Sequence, residues 1–554
     1  MRSLAAAAVF LILGCVLSLG QALPDLQAPK KARISGLVIA ADTSQPLARV
    51  KVTLVAQGSD DAVSRTVTTG ADGSFDFSDL DAGGYTLSAE RTGYMKVHGR
   101  SRSLIGERLT LAPGEESNDL VVRLVAGGAI TGRIVDEEGD PLQNIRVAAL
   151  QYRYPMGRRV LQPAGWATTN DLGEYRIFGL APGKYCVSAT HNRRVVGGSG
   201  TIAAATRDVV YPPMYYPDSP TRADAAMLEV KPGSEQRADF HLSEVRAVTV
   251  RGRLLNPSGA DDTREQVILA GESGVVSQTE LKPDRTFLLR DVVPGSYMLV
   301  AMSYPDKSEP RVARQNITVG PEGLEGVELS LDALGALNGR IRAEGPPVEV
   351  ERLSVTLVSR DREGGIADAM SGLGGRGGSA RVGKDGTFTM PLTSTGLFDV
   401  VMYANGPGFQ DWYTKAIYLG NRDVMTSGIQ VSGKTAGTLE IQLAANGALI
   451  EGTVVDGKGK PVSDATVVAV PEPPFRQRYE LYQPAHTDHS GHFVIRGQRP
   501  GDYKVYAWDE VTDQEYFDPD FVKQYENDGT SLHAEVNGHH QLALKVLAVK
   551  DAAD

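Results

Sequence analysis

The chain repeats one pattern five times, and this repeat constrains the fold more than any other feature of its 554 residues. Each copy opens with a strand that carries a glycine between apolar residues, followed by a polar turn and a second strand of alternating apolar positions. The five opening strands begin at Ile34, Ile130, Val250, Leu337 and Ile450. We expect each opening pair of strands to form a β-hairpin.

A second block in every copy supplies the expected hydrophobic core. Two strands joined by a tight turn carry large apolar side chains at alternate positions, so these side chains share one strand face. The first strand contributes Phe75 and Phe77, Tyr175 and Ile177, Phe287 and Leu289, Phe388 and Met390, and Phe493 and Ile495. The second contributes Tyr85 and Leu87, Tyr185 and Val187, Tyr297 and Leu299, Phe398 and Val400, and Tyr503 and Val505.

About seven short strands in roughly 100 residues is the size of one two-sheet sandwich. The sequence therefore predicts an all-β protein of five tandem, Ig-like antiparallel β-sandwich domains after an N-terminal signal peptide. A repeat of this length indicates domains that fold separately rather than solenoid units. The expected domains are 32–125, 128–244 with aromatic-rich inserts, 246–332, 335–445 with a Gly-rich loop, and 447–549.

Residues 1–22 have the pattern of a secretory signal peptide. One positive charge at Arg2 precedes an apolar run, and small residues follow it, so the mature chain is expected to begin near Leu23. Lipid attachment at Cys15 is the alternative, and it is disfavoured because the apolar run continues beyond that cysteine. No later stretch reaches the roughly 18 apolar residues of a spanning helix. We expect a secreted, periplasmic or cell-envelope protein.

Charge and cysteine content restrict the partners and the means of stabilisation. The formal net charge is −11, which makes nucleic acid an unexpected partner. The chain has two cysteines, and one of them, Cys15, leaves with the signal peptide. Each core must therefore hold without disulfides. Cys186 alternates with inward-facing residues, so we expect it at the surface or at an interface.

Two segments of the second copy carry a family resemblance, from Gly132 to Pro141 and from Gly173 to Tyr185. They resemble the carboxypeptidase regulatory-like domain of exported bacterial proteins. The resemblance implies the transthyretin-like sandwich that is appended to zinc carboxypeptidases and is grouped with carbohydrate-binding-like folds. Such a match transfers fold well and function poorly. It covers nearly the whole mature chain, more strongly in copies one, two and five.

The segment HTDHSGHF raises the question of a metal site. It places His486 and His489 in one turn of the last copy, and a second turn carries His539 and His540. Two histidine-rich turns that meet could bind zinc or copper through their imidazoles. In the repeat, however, Gly491 aligns with the glycine of a turn that opens a core strand. Solvated polar turns are therefore the competing interpretation, with no cofactor.

Catalytic motifs are not found. The pair His241 and Glu244 lies on a closing strand, and no third zinc ligand follows at a peptidase-like spacing. A nucleophile elbow, a phosphate loop and a Cys/His pair are also missing from the sequence. Since the peptidase domain itself is absent, we predict that the protein is not an enzyme.

Aromatic residues outside the core positions are the candidate binding residues. Rings flanked by carboxylates at the ends of a sandwich can stack on sugars. The candidates are Trp166, Tyr215, Tyr216, Trp412, Tyr413 and Trp508. The same rings could instead cover the core, fill joints between domains, or contact a protein. The acidic loop near Trp508 could hold calcium, although it lacks an EF-hand frame.

The sequence thus predicts an exported, non-catalytic binding or scaffold module at the cell envelope, with a glycan or an envelope protein as its partner. One alternative is an accessory subunit of a separately encoded peptidase or hydrolase. Another is a spacer that mediates protein contacts. Exposed tryptophans would favour glycan binding, whereas tryptophans buried between domains would favour the spacer.

Overall fold

The computed structural model describes residues 30–549, apart from 58–63, 97–106, 158, 192–208, 256–264, 272–273, 304–310, 334, 361–375, 405, 407, 433–436, 489, 510 and 512–513. The signal peptide and Cys15 lie outside the described residues. The chain divides into two compact units. The first comprises Met1–Thr92 and Leu104–Leu124, and the second comprises Gly93–Ser103 and Val125–Asp554.

The first three copies of the repeat contain strands β1 to β27. Copy one has β1 (Ala32–Ala40), β2 (Lys51–Ala56), β3 (Ser64–Thr68), β4 (Ser74–Leu80), β5 (Gly83–Glu90), β6 (Tyr94–Lys96), β7 (Glu107–Leu111) and β8 (Glu116–Ala126). Copy two has β9 (Gly128–Val135), β10 (Ile145–Arg153), β11 (Val160–Thr168), β12 (Glu174–Leu180), β13 (Gly183–His191), β14 (Val209–Val210), β15 (Met214–Tyr215), β16 (Met227–Val230), β17 (Glu235–Arg237), β18 (Phe240–His241) and β19 (Val245–Arg246). Copy three has β20 (Val248–Leu255), β21 (Glu265–Gly271), β22 (Gly274–Glu280), β23 (Thr286–Val292), β24 (Gly295–Ser303), β25 (Arg311–Val319), β26 (Leu324–Ser330) and β27 (Asp332–Ala333).

The last two copies contain the remaining strands and most of the helical turns. Copy four has β28 (Ala336–Glu344), β29 (Leu353–Ser359), β30 (Arg376–Arg381), β31 (Thr387–Pro391), β32 (Gly396–Ala404), β33 (Tyr413–Leu419), β34 (Arg422–Asp423), β35 (Ile429–Val431) and β36 (Leu439–Ala444). Copy five has β37 (Ala448–Val455), β38 (Thr466–Pro471), β39 (Gln483–His486), β40 (His492–Gln498), β41 (Gly501–Trp508), β42 (Thr530–Ala534) and β43 (His539–Lys545). The helix α1 spans Pro519–Lys523, and 3-10 helices span Pro155–Gly157, Val350–Arg352, Phe475–Gln477, Tyr479–Leu481 and Glu515–Phe517.

Each copy contributes a pair of sheets, named here modules 1 to 5 in chain order. The sheets that contain the opening strand have the orders β4-β1-β8, β12-β9-β17, β23-β20-β26, β31-β28-β36-β33-β34 and β40-β37-β43. The facing sheets have the orders β3-β2-β5-β7, β11-β10-β13-β15, β22-β21-β24-β25-β27, β30-β29-β32-β35 and β39-β38-β41-β42. The predicted all-β fold of tandem β-sandwiches is confirmed.

The expected opening hairpin is wrong, because the first two strands of each copy lie in opposite sheets. In module 1, β1 pairs with β4 and β8, whereas β2 pairs with β3 and β5. Both strands bury one face in the same core. Each strand therefore shows the same alternation of apolar and polar residues that it would show in a hairpin. The sequence pattern alone does not distinguish the two connections.

The sheet of the opening strand is mixed rather than antiparallel, and this explains the repeated glycine. The opening strand runs parallel to the closing strand in every module. A Cβ atom on the repeated glycine would lie between 1.9 and 2.8 Å from a carbonyl oxygen of the closing strand. These glycines are Gly36, Gly132, Gly252, Gly339 and Gly452. Only a residue without a side chain fits at this close approach.

The substitution Gly452→Ala tests this explanation. A Cβ at this position would lie 1.9 Å from the carbonyl oxygen of Leu542. We expect the variant to lose about 1–3 kcal/mol of unfolding free energy, because the two strands must separate to admit the methyl group. Urea denaturation measures the loss. Gly457→Ala is the matched control, since a Cβ there has no atom within 4 Å. Equal losses in both variants would refute the explanation.

The predicted core residues occupy the module interiors. All of the paired residues predicted above are buried except Tyr297, which is partly buried. The tyrosine of the second strand adds a repeated hydrogen bond, because its hydroxyl donates to the carbonyl four residues earlier. These bonds join Tyr85 to Asp81, Tyr185 to Ala181, Tyr297 to Val293, and Tyr503 to Arg499. Module 4 has Phe398 at this position and lacks the bond.

The Gly-rich loop expected in module 4 is partly a strand. Residues 376–381 form β30, which pairs with β29. A Cβ on Gly377 would lie 2.7 Å from the ring of Phe398, and one on Gly378 would lie 2.5 Å from the carbonyl oxygen of Pro391. The glycines therefore allow an edge strand to pass close to the core. They do not mark a flexible loop throughout.

Module 5 inserts an arginine into module 4. The Arg478 side chain is 2% exposed, and its guanidinium donates to the carbonyl oxygens of Val400 (2.8 Å) and Met425 (2.9 Å). It also pairs with Asp399 at 3.3 Å and with Glu480 of its own module. Arg478 lies between two 3-10 helices, in a segment that the repeat alone does not predict.

Further contacts join the modules of the second unit. Modules 3 and 4 share one apolar cluster, to which module 3 contributes Ile268, Val300 and Met302. Modules 2 and 5 meet although two modules separate them in sequence. The hydroxyl of Tyr154 donates to Asp518 Oδ2 at 2.6 Å, and Arg159 lies 3.6 Å from the same carboxylate. The modules of this unit therefore contact more than their neighbours in sequence, unlike the domains of a simple linear array.

Candidate functional site

The segment HTDHSGHF forms a structural turn. The buried hydroxyl of Thr487 donates to the carbonyl oxygen of Val462 and accepts from the amide of Ala465. Thr69 and Thr169 make the same two bonds in modules 1 and 2. Asp488 Oδ1 accepts from the amides of Ser490 and His492. The segment thus has the role that its counterparts have in the other copies.

The structure does not bring the two histidine-rich turns together. His539 pairs with Leu449 at the start of β37, whereas His492, at the end of the first turn, pairs with Thr453. Four residues of strand separate these positions by about 13 Å. His486 lies at the exposed end of β39 in the facing sheet, and His489 lies outside the described residues.

The second turn has local partners of its own. His539 Nε2 lies 2.8 Å from Glu451 Oε1, and this hydrogen bond lowers the pKa of Glu451. His540 Nε2 accepts a long hydrogen bond from the amide of Glu535. Among the residues that the structure describes, no group of three or more His, Cys, Asp and Glu side chains could hold a metal ion.

The aromatic residues around Trp508 form a second apolar core in module 5. Trp508 is fully buried and stacks on Tyr506 at 5.0 Å. Helix α1 covers the pair, and Phe521 and Tyr525 lie within 5.6 Å of the indole. The expectation that Trp508 is exposed for sugar stacking is therefore wrong. The outer face of β38 and β41 carries large apolar side chains, so a second layer of apolar residues shields it from solvent.

One acidic residue near Trp508, Asp518, helps to hold this cover in place. Asp518 Oδ1 accepts from the amide of Asp520 at the start of α1, and Asp518 Oδ2 accepts from Tyr154. Burial and this bond raise the pKa of Tyr154, so its hydroxyl remains a donor. Glu510 and Asp513 lie outside the described residues.

Trp412 and Tyr413 lie near the joint between modules 4 and 5. Trp412 is half-buried and packs against the core cluster of module 4. Two residues before Trp412, the backbone of Gln410 closely approaches Gly497 of module 5. A Cβ added to Gly497 would lie only 2.4 Å from the Gln410 carbonyl oxygen. The hydroxyl of Tyr413 donates to Asn446 at 3.0 Å. This placement agrees with the interpretation of these rings as joint residues.

Tyr215 and Tyr216 belong to an insert between β13 and β16, described for residues 209–226, that covers one sheet of module 2. Tyr215 is 2% exposed, and Tyr216 contacts Phe240 edge to face at 6.0 Å. Cys186 is buried in the same insert cluster, with Leu161 and Tyr215, so its expected surface position is wrong. Burial raises the pKa of its thiol to about 11. The insert replaces solvent on what would otherwise be an outer sheet face.

Trp166 is the one tryptophan with a mostly exposed side chain, at 59%. It lies on β11 and points to the outer face of its sheet, because it pairs with Ala148 between the core residues Val147 and Ala149. Across this face, Ala148, Ser188 and Tyr215 follow in register. Tyr215 is thus three strands away, about 14 Å, and the structure does not place it beside Trp166.

A hollow of about 430 Å³ adjoins Trp166. It lies between β11 and β12, which are the outer strands of the two facing sheets of module 2. Its lining comprises Pro163, Ala164, Gly165, Trp166, Ile177 and Phe178. Phe178 is 74% exposed, so two aromatic rings flank one hollow. A Cβ on Gly165 would lie 2.9 Å from Ile177, which shows how closely the two strands approach.

Both strands lose their regular geometry at this hollow. The pairing of β11 with β10 shifts between Ala149 and Leu150, where Pro163 supplies no amide hydrogen. The pairing of β12 with β9 shifts between Phe178 and Leu180, and Gly179 has a φ of 69°. A strand added by an extended peptide would therefore be interrupted at these positions.

Phe178 was not among the predicted residues, although the sequence carries a signal for it. Its strand alternates Tyr175 and Ile177 inward, so Phe178 occupies an outward position. The counterparts in modules 1, 3 and 5 are the polar residues Ser78, Arg290 and Arg496. An exposed phenylalanine where other copies carry a polar residue costs solubility and indicates a contact surface.

One family model matches the chain. Residues 33–125 match the carboxypeptidase regulatory-like domain. The match confirms the predicted resemblance for module 1. No curated protein matches the chain. Within the described residues, no helix combines the length and apolar character needed to cross a membrane.

Several solved structures show partial similarity, and the titles of most of them name pilins. The Bacillus anthracis TIE protein shares 14% identity at a TM-score of 0.16, over 55% of this chain and 50% of that chain. The streptococcal ancillary pilin shares 11% identity at a TM-score of 0.21, over 55% and 99%. GBS52, the minor pilin of Streptococcus agalactiae, shares 15% at 0.20, over 39% and 96%. The chain spans half the length of the TIE protein, and similarity this weak assigns no role.

Proposed function

We propose that this chain, whose first module matches the carboxypeptidase regulatory-like domain, is an exported, non-catalytic scaffold that binds a saccharide at module 2. The observation that carries the proposal is the pair of exposed rings, Trp166 and Phe178, on either side of one hollow. The predicted signal peptide supports export, and N-terminal sequencing of the mature protein near Leu23 would test it.

Exposed rings support a binding role because their exposure is unfavourable in the free protein. A fully buried aromatic side chain contributes several times the stabilisation of a small residue. Among the described residues, the other tryptophans and phenylalanines are buried or partly buried, and Trp508 in module 5 and Tyr215 in module 2 are fully covered. Leaving Trp166 and Phe178 in solvent is therefore best explained by a ligand that covers them.

A saccharide fits this surface better than an extended peptide. The irregular edges of β11 and β12 offer no continuous row of amides and carbonyls for strand addition. A sugar ring needs no such row, since its C–H face stacks on an aromatic ring and its hydroxyls bond to nearby polar groups. The shallow hollow between the rings suits a flat unit of a polymer.

A titration followed by tryptophan fluorescence tests the proposal. Trp166 is the exposed indole, so a saccharide bound at the hollow should shift the emission of the full mature chain. A panel of soluble plant, fungal and bacterial polysaccharides serves as the probe. Because Trp166→Ala removes this reporter, isothermal titration calorimetry compares the variant with the parent. We expect its binding to be roughly 10- to 100-fold weaker, because an aromatic anchor contributes about 1.5–3 kcal/mol.

The control variant is Trp412→Phe, which removes a half-buried indole near the joint between modules 4 and 5. It should leave the affinity unchanged. If no polysaccharide shifts the emission, or if Trp166→Ala binds as the parent protein does, the saccharide proposal is wrong. A protein partner at the cell envelope would then be the alternative.

A scaffold role rests on a separate observation, the contacts among the modules of the second unit. Arg478 of module 5 is buried in module 4, and Tyr154 of module 2 bonds to Asp518 of module 5. Such contacts hold the binding surface of module 2 in a fixed relation to module 5. Rigid presentation of a site on a packed support lowers the entropy cost of binding.

A further inference from the structure

Arg146 lies beside the proposed saccharide site and has an unusual environment. Its guanidinium carbon is 4.8 Å from the centroid of the Trp166 ring. The side chain is exposed, and within the described residues it makes no salt bridge with a carboxylate. Its position on β10 pairs with Thr168, two residues beyond Trp166 on β11 and on the same face of the strand. The cation is therefore part of the same surface as the exposed indole.

Two other exposed arginines on module 2 have anionic partners. Arg176 pairs with Glu235 at 3.0 Å, and Arg237 pairs with Asp239 at 2.7 Å. In a chain of net charge −11, acidic partners are abundant. A cation that stacks on an exposed ring instead of pairing with a carboxylate keeps its hydrogen-bond donors available.

The stacking arrangement suits recognition of a carboxylate. Contact with the indole contributes about 0.5–1 kcal/mol at an exposed site and holds the guanidinium plane in place. A guanidinium donates two parallel hydrogen bonds to a carboxylate, a geometry that lysine does not provide. The negative charge of the whole protein repels anions at long range, so binding an acidic ligand would depend on this local contact.

We propose that the saccharide is acidic, with a uronate-type carboxylate bound by Arg146 while the sugar ring contacts Trp166 and Phe178. This inference rests on the proposed function and adds the substrate class. Arg146 is then a specificity-determining residue, and the ring pair supplies the binding that acidic and neutral sugars share.

A matched pair of polymers tests the substrate class. Polygalacturonate and its fully methyl-esterified form have the same backbone and differ in the carboxylate. We expect the full mature chain to bind the acid form roughly tenfold more tightly, as a charged hydrogen-bonded contact at a partly exposed site implies. The preference should shrink as salt increases.

Variants separate the acidic preference from saccharide binding itself. Arg146→Gln should abolish the preference and keep the affinity for the ester, whereas Arg146→Lys should keep part of the preference. Trp166→Ala should weaken both polymers. Arg237→Gln, at an exposed pair on the same module, is the control and should bind both polymers as the parent does.

The outcomes are distinct. Equal affinities for the two polymers, unchanged in Arg146→Gln, would overturn the acidic class and leave the saccharide proposal standing. Binding of neither these polymers nor any saccharide of the panel would overturn both proposals. Tighter binding of sulfated polymers than of polygalacturonate, lost in Arg146→Gln, would show that the site selects anions in general and would also overturn the carboxylate assignment.

Discussion

Replacing Arg478 with methionine is expected to destabilise modules 4 and 5 together by about 3–5 kcal/mol, the cost of breaking a buried ion pair. The substitution removes the donors to Val400 and Met425 and leaves Glu480, 18% exposed, without its cation. Asp399 keeps Arg360 at 2.5 Å. Hydrogen exchange measured by mass spectrometry should show lower protection in β32 of module 4 and in β41 of module 5.

The loss should depend on pH. Burial raises the pKa of Glu480, and Arg478 opposes this effect. Without Arg478 the pKa rises further, so the folded variant binds a proton that the unfolded chain releases. Its stability should therefore increase as pH falls from 8 towards 5. Arg496→Met is the control, because its pair with Asp411 is exposed and 3.9 Å long, and it should cost less than about 1 kcal/mol. A comparable loss in the control would contradict the prediction.

Phe493→Ala should cost about 3–5 kcal/mol, the usual range for a buried phenylalanine. The side chain is 1% exposed and lies opposite Gly452 in the core of module 5. If the modules folded separately, only module 5 would lose its protection against hydrogen exchange. Because Arg478 belongs to module 5 and is buried in module 4, we expect protection in module 4 to fall as well.

Phe75→Ala is the matched control for this experiment. Phe75 has the same place in module 1 and is 4% exposed, but module 1 lies in the other compact unit. That variant should lose protection in module 1 and retain it in modules 4 and 5. Full retention of module 4 protection in Phe493→Ala would show that modules 4 and 5 fold independently.

The core residues and turns could be predicted because they depend on local rules. Alternation identified the buried faces, such as Phe493 and Ile495, since successive side chains of a strand point to opposite sides. Comparison between copies assigned HTDHSGHF to a turn, and the bonds of Thr487 and Asp488 agree with that assignment. The assignment of each strand to a sheet failed, because an alternating strand can pair with either neighbour.

The candidate site was only partly accessible from the sequence. Trp166 was among the predicted residues, but Trp508 and Tyr215 were predicted with it and are buried. All three are aromatic residues outside the repeated core positions. Which of them is covered depends on inserts that differ between copies, and no local pattern reports whether an insert folds back over a sheet.

By itself, the sequence determined the repeated module: its strands, its inward faces, its turns and the glycine of each opening strand. These features follow from side-chain periodicity and backbone conformation, which act over a few residues. The tertiary structure decided the rest, including the parallel pairing behind each glycine, the burial of Arg478 in module 4, and the hollow between Trp166 and Phe178. Such contacts join residues far apart in the chain, so they depend on how complete surfaces fit together.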